Sequence, residues 1–156
     1  MNIRFACEKD IPGMMQLLRQ VGEVHHQIRP DLFRAGAQKY DEAALLRLLS
    51  DENRPILIAE EADAVLGYAF CILQITENDP VLCDRRVLYI DDLCVDETVR
   101  GKGIAKALYE QVIAFARSLR CDAVTLNVWC GNDGAMRFYE KAGLKPQKIG
   151  METILC

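Results

Sequence analysis

The chain has 156 residues, the size of one ordinary domain, and is 51% hydrophobic and 27% charged, which suits a globular core. Its formal net charge of -4 leaves no basic excess for neutralising phosphates, so a nucleic-acid partner is not expected. The small negative charge suits a cationic partner better than an anionic one.

Ile3–Ala6 reads as a short first strand. Asp10 is placed to cap a helix whose first turn accepts Pro12. Ile11, Met14, Met15, Leu18 and Val21 follow at near-helical spacing, and Gly22 is expected to end the helix. His25–Lys39, with Pro30 and Gly36, reads as a long polar connection. A second helix is expected from Asp41 to Leu49, burying Leu45, Leu46, Leu48 and Leu49. Pro55–Glu60 and Ala64–Leu73 read as two strands joined by a tight turn at Glu61–Asp63, with Gly67 marking a bulge. After a loop at Glu77–Asp84, Arg86–Val95 reads as a long strand. Gly103–Leu119 is a helix with apolar residues in steps of three and four. Ala123–Val128 is a buried strand, and Asn132–Ala142 a short helix ended by Gly143. Two closing strands are expected at Lys145–Ile149 and Met151–Leu155. This order predicts a single α/β domain over residues 1–156 with a mixed sheet.

The seven cysteines (Cys7, Cys71, Cys83, Cys94, Cys121, Cys130 and Cys156) form no C-x-x-C pair and are odd in number. They read as reduced thiols behaving as small hydrophobes, with no disulfide framework and no metal site. No apolar run approaches the ~20 residues that span a bilayer. Arg4, Glu8, Lys9 and Asp10 do not fit a signal peptide, so no membrane partner and a cytoplasmic location are expected.

Chemistry concentrates first at Arg100-Gly101-Lys102-Gly103-Ile104-Ala105, which leads from a strand into a long helix. The first amides of a helix lack internal partners, and the positive end of its dipole favours an anion. Gly101 and Gly103 remove side chains where a backbone must approach a bulky phosphate, and Arg100 and Lys102 add charge. Two phosphate motifs fail here. A P-loop needs Ser or Thr after its lysine, whereas Lys102 precedes Gly103. The dinucleotide fingerprint needs a small residue where Lys106 stands, and the acid expected at the end of the next strand is missing.

From Tyr89 to Leu144 the chain resembles the GNAT superfamily of N-acetyltransferases. Arg100, Gly103 and Ala105 match that family's Q/R-x-x-G-x-G/A loop. Asn132, Ala135, Phe138, Tyr139, Glu140, Lys141 and Gly143 match its N-x-x-A-x-x-F/L-Y-E-K-x-G-F segment, with Leu144 where Phe is usual. The resemblance implies a mostly antiparallel sheet of about seven strands flanked by about four helices. It also implies acetyl-CoA as acetyl donor, direct transfer in a ternary complex, and a dimer by analogy. Arg100–Ala105 then holds the pyrophosphate, and the backbone of Leu93, Cys94 and Val95 pairs with the pantetheine amides. Asn132 helps to hold the pantetheine arm, and Tyr139 protonates the departing thiolate.

Tyr89-Ile90-Asp91-Asp92-Leu93-Cys94-Val95 sets two acids side by side in an otherwise apolar strand. Strict alternation sends them to opposite faces unless a bulge intervenes. The run is similar to Y-x-E-D-F-x-V of the polyamine-acetylating branch, which implies Asp91 as the group that deprotonates the amine. Cys94 is the candidate for a covalent route, but no histidine sits near it in sequence to activate it. Leu126-Asn127-Val128 lacks the acid of the branch that acetylates protein N-termini, and leaves Asn127 to bond the acceptor or the pantetheine. Glu23, His25, His26, Arg29 and Asp31 fall in the connection expected to form the acceptor wall, with Phe33, Tyr40 and Trp129 as further lining or as packing. The expected acceptor is a primary amine on a small cationic metabolite. The alternatives are a protein lysine or N-terminus, or a domain that binds acyl-CoA without turnover.

Overall fold

Alternation in the second strand divides the molecule. A computed structural model describes all residues, Met1–Cys156. In β2 (Ile56–Glu61), Leu57 and Ala59 face one side of the sheet while Ile56 and Ile58 face the other, and all four are buried. Five strands form one sheet in chain order: β1 (Asn2–Phe5), β2, β3 (Ala64–Thr76), β4 (Arg85–Val95) and β5 (Ala123–Leu126). Neighbours from β1 to β4 are antiparallel, and β5 lies parallel to β4. Helix α3 (Ile104–Ser118) covers the first face with Ile104, Leu108, Val112 and Ala116, which pack on Leu57, Ala69, Leu88 and Ile90. Helices α1 (Ile11–Ile28) and α2 (Glu42–Leu49) cover the second, where Met14, Leu17, Leu18 and Leu45 meet Ile58, Tyr68 and Phe70. Each such aliphatic side chain contributes about 1.5–3 kcal/mol when fully buried. Helix α4 (Asp133–Lys141) follows β5.

Several boundaries differ from the sequence expectation. The sheet has five strands and not seven, because Lys145–Ile149 and Met151–Leu155 form no strand. Pro146 lacks an amide donor, Gly150 weakens an extended segment, and no element covers this stretch. Ile149, Met151, Ile154 and Leu155 are accordingly left exposed. Helix α1 does not end at Gly22 but runs on to Ile28, so His25 and His26 lie on a helix and not in a connection. A side chain at Gly22 would overlap the Ala37 carbonyl oxygen, so this glycine lets the chain after α1 lie against the helix. Asp10 does not cap α1 with its side chain. Its carboxylate turns back to accept the Cys7 amide at 2.8 Å and a two-pronged bond from Arg4 at 2.8 and 2.9 Å. Asp41 does cap α2, accepting the Ala44 amide at 2.8 Å, but Leu46 on that helix is exposed. The bulge expected at Gly67 is present, since Ala59 opposes Gly67 while Glu60 opposes Val65. A Cβ there would lie 2.8 Å from the Cys94 carbonyl oxygen.

No helix is long and apolar enough to cross a membrane. No group of three or more His, Cys, Asp or Glu side chains is placed to hold a metal ion, and all seven cysteines are unpaired. Gly22→Ala is expected to lower stability by about 1–3 kcal/mol, because the methyl must displace the backbone at Ala37. A denaturant melt of the variant against wild type checks it.

Candidate active site

The adjacent acids of β4 share one face of the sheet. Phe70 of β3 opposes Asp92 and Cys71 opposes Ile90, which leaves Asp91 as an extra residue in β4. Leu88 and Ile90 pack on the α3 side before the bulge, and Leu93 and Val95 do so after it. The inward parity thus changes from even to odd across Asp91–Asp92. Both carboxylates turn toward the α1–α2 side, where Tyr68, Phe70 and Cys94 lie.

Each acid there has its own phenol. Tyr68 donates to Asp92 Oδ2 at 2.7 Å, and Tyr40 donates to Asp91 Oδ2 at 2.9 Å. Tyr40 stacks on Phe70 with centroids 5.6 Å apart, and Phe70 meets Tyr68 edge-on at 4.6 Å. Lys39 Nζ also reaches Asp91 Oδ2, at 2.8 Å. Burial works against the Lys39 ammonium, but Asp91 outweighs it and holds Lys39 above the usual lysine value. Burial pushes the Asp92 carboxyl up, despite the Tyr68 hydrogen bond and the positive charge of Lys39. It also raises both phenols, with the neighbouring carboxylates adding to the shift.

Beyond the acids, β4 loses its neighbour. The parallel pairing with β5 runs from Val87–Ala123 to Ile90–Leu126 and stops. From Asp91 to Val95, β4 continues with no strand on its β5 side, because β5 ends at Leu126, and this edge of β4 is left without a strand neighbour. The chain then makes a short turn at Glu97–Val99 and enters α3 through Arg100–Gly103. Gly101 and Gly103 both have positive φ, +80° and +79°, and open space where a Cβ would stand. The first backbone bond of α3 runs from the Ala107 amide to Gly103, leaving the amides of Ile104, Ala105 and Lys106 unpaired. Arg100 folds back, its Nε donating to the Val95 carbonyl at 3.4 Å. Unpaired amides, a positive helix end and two basic side chains make this helix start favourable for an anion, next to the open edge of β4.

Tyr139 projects from α4 with its ring edge-on to Tyr109 and Phe138, at 6.5 and 5.1 Å between centroids. Its hydroxyl makes no hydrogen bond within the chain. Burial raises its pKa above the usual phenol value, with Asp92 and Tyr109 adding to the shift, so the phenol stays protonated through the neutral range. Asn132 caps α4, its Oδ1 accepting the Ala135 amide at 3.3 Å. That contact occupies the side-chain oxygen and leaves the amide N–H groups free.

Of the residues singled out by sequence, Asp91, Leu93–Val95 and Arg100–Ala105 fall on one continuous stretch from the bulge to the α3 N-terminus. Tyr139 and Asn132 come from α4. Cys94 is buried, its thiol donating to the Leu17 carbonyl at 3.7 Å, and burial pushes its pKa up to about 12. A thiol so disfavoured as thiolate is a poor nucleophile. Asn127 donates to the Tyr89 hydroxyl at 3.2 Å. His25 stacks on Phe33 at 5.0 Å, and Phe33 meets Trp129 edge-on at 5.4 Å. Two residues of the site escaped sequence reading. Tyr68 had a signal, a phenol in an apolar strand whose tip needs a partner. Lys39 had none, because only the fold of the α1–α2 connection brings it to Asp91.

A strand edge without a neighbour, next to a helix start with unpaired amides, is an arrangement suited to an extended ligand that carries an anionic group. The sequence model of the Acetyltransferase (GNAT) family matches residues 21–144, and the chain belongs to that family. Human N-acetyltransferase 8B is 32% identical over 115 residues, covering 69% of this chain and 49% of that protein, so this chain spans about half the length of that relative. The mutant BH1408 protein of Bacillus halodurans superposes with a TM-score of 0.95 at 33% identity over the full length of both chains. An aminoglycoside N-acetyltransferase in complex with CoA shares the fold, with a TM-score of 0.72 at 14% identity over 99% of this chain and 100% of that one.

Asp92 supplies a stability test. Burial raises its folded pKa, so its charged form destabilises the fold progressively as pH rises through that value. Asp92→Asn removes the charge and keeps an acceptor for Tyr68. The variant is expected to melt higher than wild type at pH 8, with a smaller difference at pH 4, in paired thermal melts.

Proposed function

We propose that this chain moves an acetyl group from acetyl-CoA directly to a primary amine. The observation that carries the reading is the edge of β4 without a strand neighbour, which runs from the paired acids toward the unpaired amides of α3. The α3 amides with Arg100, Gly101, Lys102, Gly103, Ile104 and Ala105 hold the pyrophosphate. The free edge of Leu93–Val95 pairs with the pantetheine amides as an added strand would. Asn132 donates its amide to the same arm. The thioester then lies between Asp91–Asp92 on β4 and Tyr139 on α4.

An alkyl ammonium has a pKa near ~10.4 and must lose a proton before it attacks. Asp91, on the more accessible side of the pair, takes that proton directly or through water. The neutral nitrogen attacks the thioester carbon, the C–S bond breaks, Tyr139 gives its proton to the leaving thiolate, and the second proton of the nitrogen passes to solvent, which reprotonates Tyr139. A phenol held protonated by burial suits that role. The raised thiol of Cys94 favours this direct route over an acyl-cysteine intermediate. Two carboxylates with aromatic walls favour a small cationic acceptor.

The test is thiol release from acetyl-CoA with a panel of amines. Release with at least one small cationic amine is expected, and tight CoA binding with no release from any amine would leave an acyl-CoA-binding domain instead. Tyr139→Phe should lower kcat on the order of 10²-fold while calorimetry finds acetyl-CoA affinity unchanged. Unchanged turnover, with chemistry limiting, would remove Tyr139 as the acid. Asp91→Asn should lose activity at neutral pH and recover it as pH approaches the amine pKa. A loss of equal size at every pH would make Asp91 structural.

A further inference from the structure

An amine of the chain itself already occupies Asp91. Lys39 Nζ lies 2.8 Å from Asp91 Oδ2, and the Tyr40 hydroxyl donates to the same oxygen at 2.9 Å. The ammonium also stands 5.6 Å from the centroid of the Tyr40 ring. A carboxylate with an aromatic face is how a primary alkyl ammonium is recognised. The Asp91 side chain is 15% exposed, whereas that of Lys39 is 46% exposed. The lysine therefore comes in from the open side, on a flexible four-carbon stem. It belongs to the irregular connection between α1 and α2, and no helix or strand fixes its backbone. Asp92 lies next to Asp91 on the same face, and its charge is felt by both Lys39 and Tyr139. The lysine amine is thus held on the acid next to Asp92, on the face both carboxylates share.

We propose that Lys39 is itself an acceptor of this site, acetylated on Nζ by acetyl-CoA bound to the same chain. The inference rests on the acetyltransferase reading. Nζ loses a proton to Asp91 and on to solvent, and its lone pair attacks the thioester carbon. The new C–N bond forms as the C–S bond breaks, the nitrogen gives its second proton to solvent, and CoA leaves as the thiol with the Tyr139 proton, which solvent replaces. In sum, an ammonium and acetyl-CoA become an amide, CoA and one released proton. A tethered amine makes this an effectively unimolecular step. The ion pair to Asp91 keeps the nitrogen protonated most of the time, so the reaction is slow, and it stops at one acetyl group because an amide nitrogen is not a nucleophile. The product is neutral and no longer pairs with Asp91.

The experiment incubates the full chain with acetyl-CoA alone and follows intact mass, then maps the acetylated peptide. One acetyl group on Lys39 is expected, with a rate constant independent of protein concentration. Tyr139→Phe should slow it on the order of 10²-fold. Lys39→Arg should abolish the mass gain while circular dichroism matches wild type. Acetylation of Lys39 no faster than of exposed Lys106, or equally fast in Tyr139→Phe, would overturn the proposal. So would a rate constant that rises with protein concentration. A parallel reaction with the amine panel separates the two readings. An external amine acetylated while Lys39 stays free sinks this inference alone. No acetylation of Lys39 or of any amine sinks the transferase reading with it.

Discussion

A strand that alternates strictly cannot show two neighbouring acids to one face, and β4 escapes that rule by carrying one residue more than β3 between Ile90 and Asp92. Without the extra residue, either Asp91 or Asp92 would point into the aliphatic layer under α3, where an unpaired carboxylate is strongly disfavoured. With it, both acids meet phenols on the opposite face, Tyr40 for one and Tyr68 for the other. The parity change also sends Leu93 and Val95 back to the α3 core and Cys94 to the α1 core. The strand therefore stays anchored on both faces along the stretch where its edge is free of β5. One local irregularity thus positions the charged pair and preserves the straight, unpaired edge that follows.

Two halves of the site rest on different kinds of structure. The anion-binding half is backbone: helix amides, two glycines with positive φ and a free strand edge. The half that faces the acids is side chain, collected from β3, β4 and the connection after α1. Backbone features demand particular residues at fixed spacing, so they leave a readable trace. Side chains gathered from distant segments can be exchanged singly, and no spacing links them.

That difference explains what the sequence made legible. Helices α2, α3 and α4, the three long strands and the Gly67 bulge follow from apolar spacing, caps and glycine placement, and the Arg100–Ala105 turn was evident from the same signals. Two acids within an apolar run marked Asp91–Asp92 as unusual, but strict alternation would have put them on opposite faces, and the bulge that unites them left no signal of its own. Gly22 misled because a glycine that ends a helix and one that admits a neighbouring backbone look alike until Ala37 is in place. The residues after Leu144 misled because their apolar content suggested strands, while Pro146 and Gly150 and the lack of a covering element left them unpaired. Lys39 was invisible because nothing in its surroundings in sequence refers to Asp91, 52 positions away.

Cys94 carries a consequence in redox chemistry. In the proposed reaction CoA leaves as a free thiol, and a thiol released beside a reactive cysteine forms a mixed disulfide whenever an oxidant is present. Exchange of that kind requires a thiolate and an open approach to sulfur. Cys94 offers neither, since its S–H is turned to the Leu17 carbonyl in the α1 core and its ionisation is suppressed. Under the proposed reaction, β4 can thus hold a sulfur atom near a thiol product without being captured by it. The exposed cysteines, Cys7, Cys83, Cys130 and Cys156, have no such protection from burial, so oxidative coupling to CoA falls on them and spares the strand at the centre of the site.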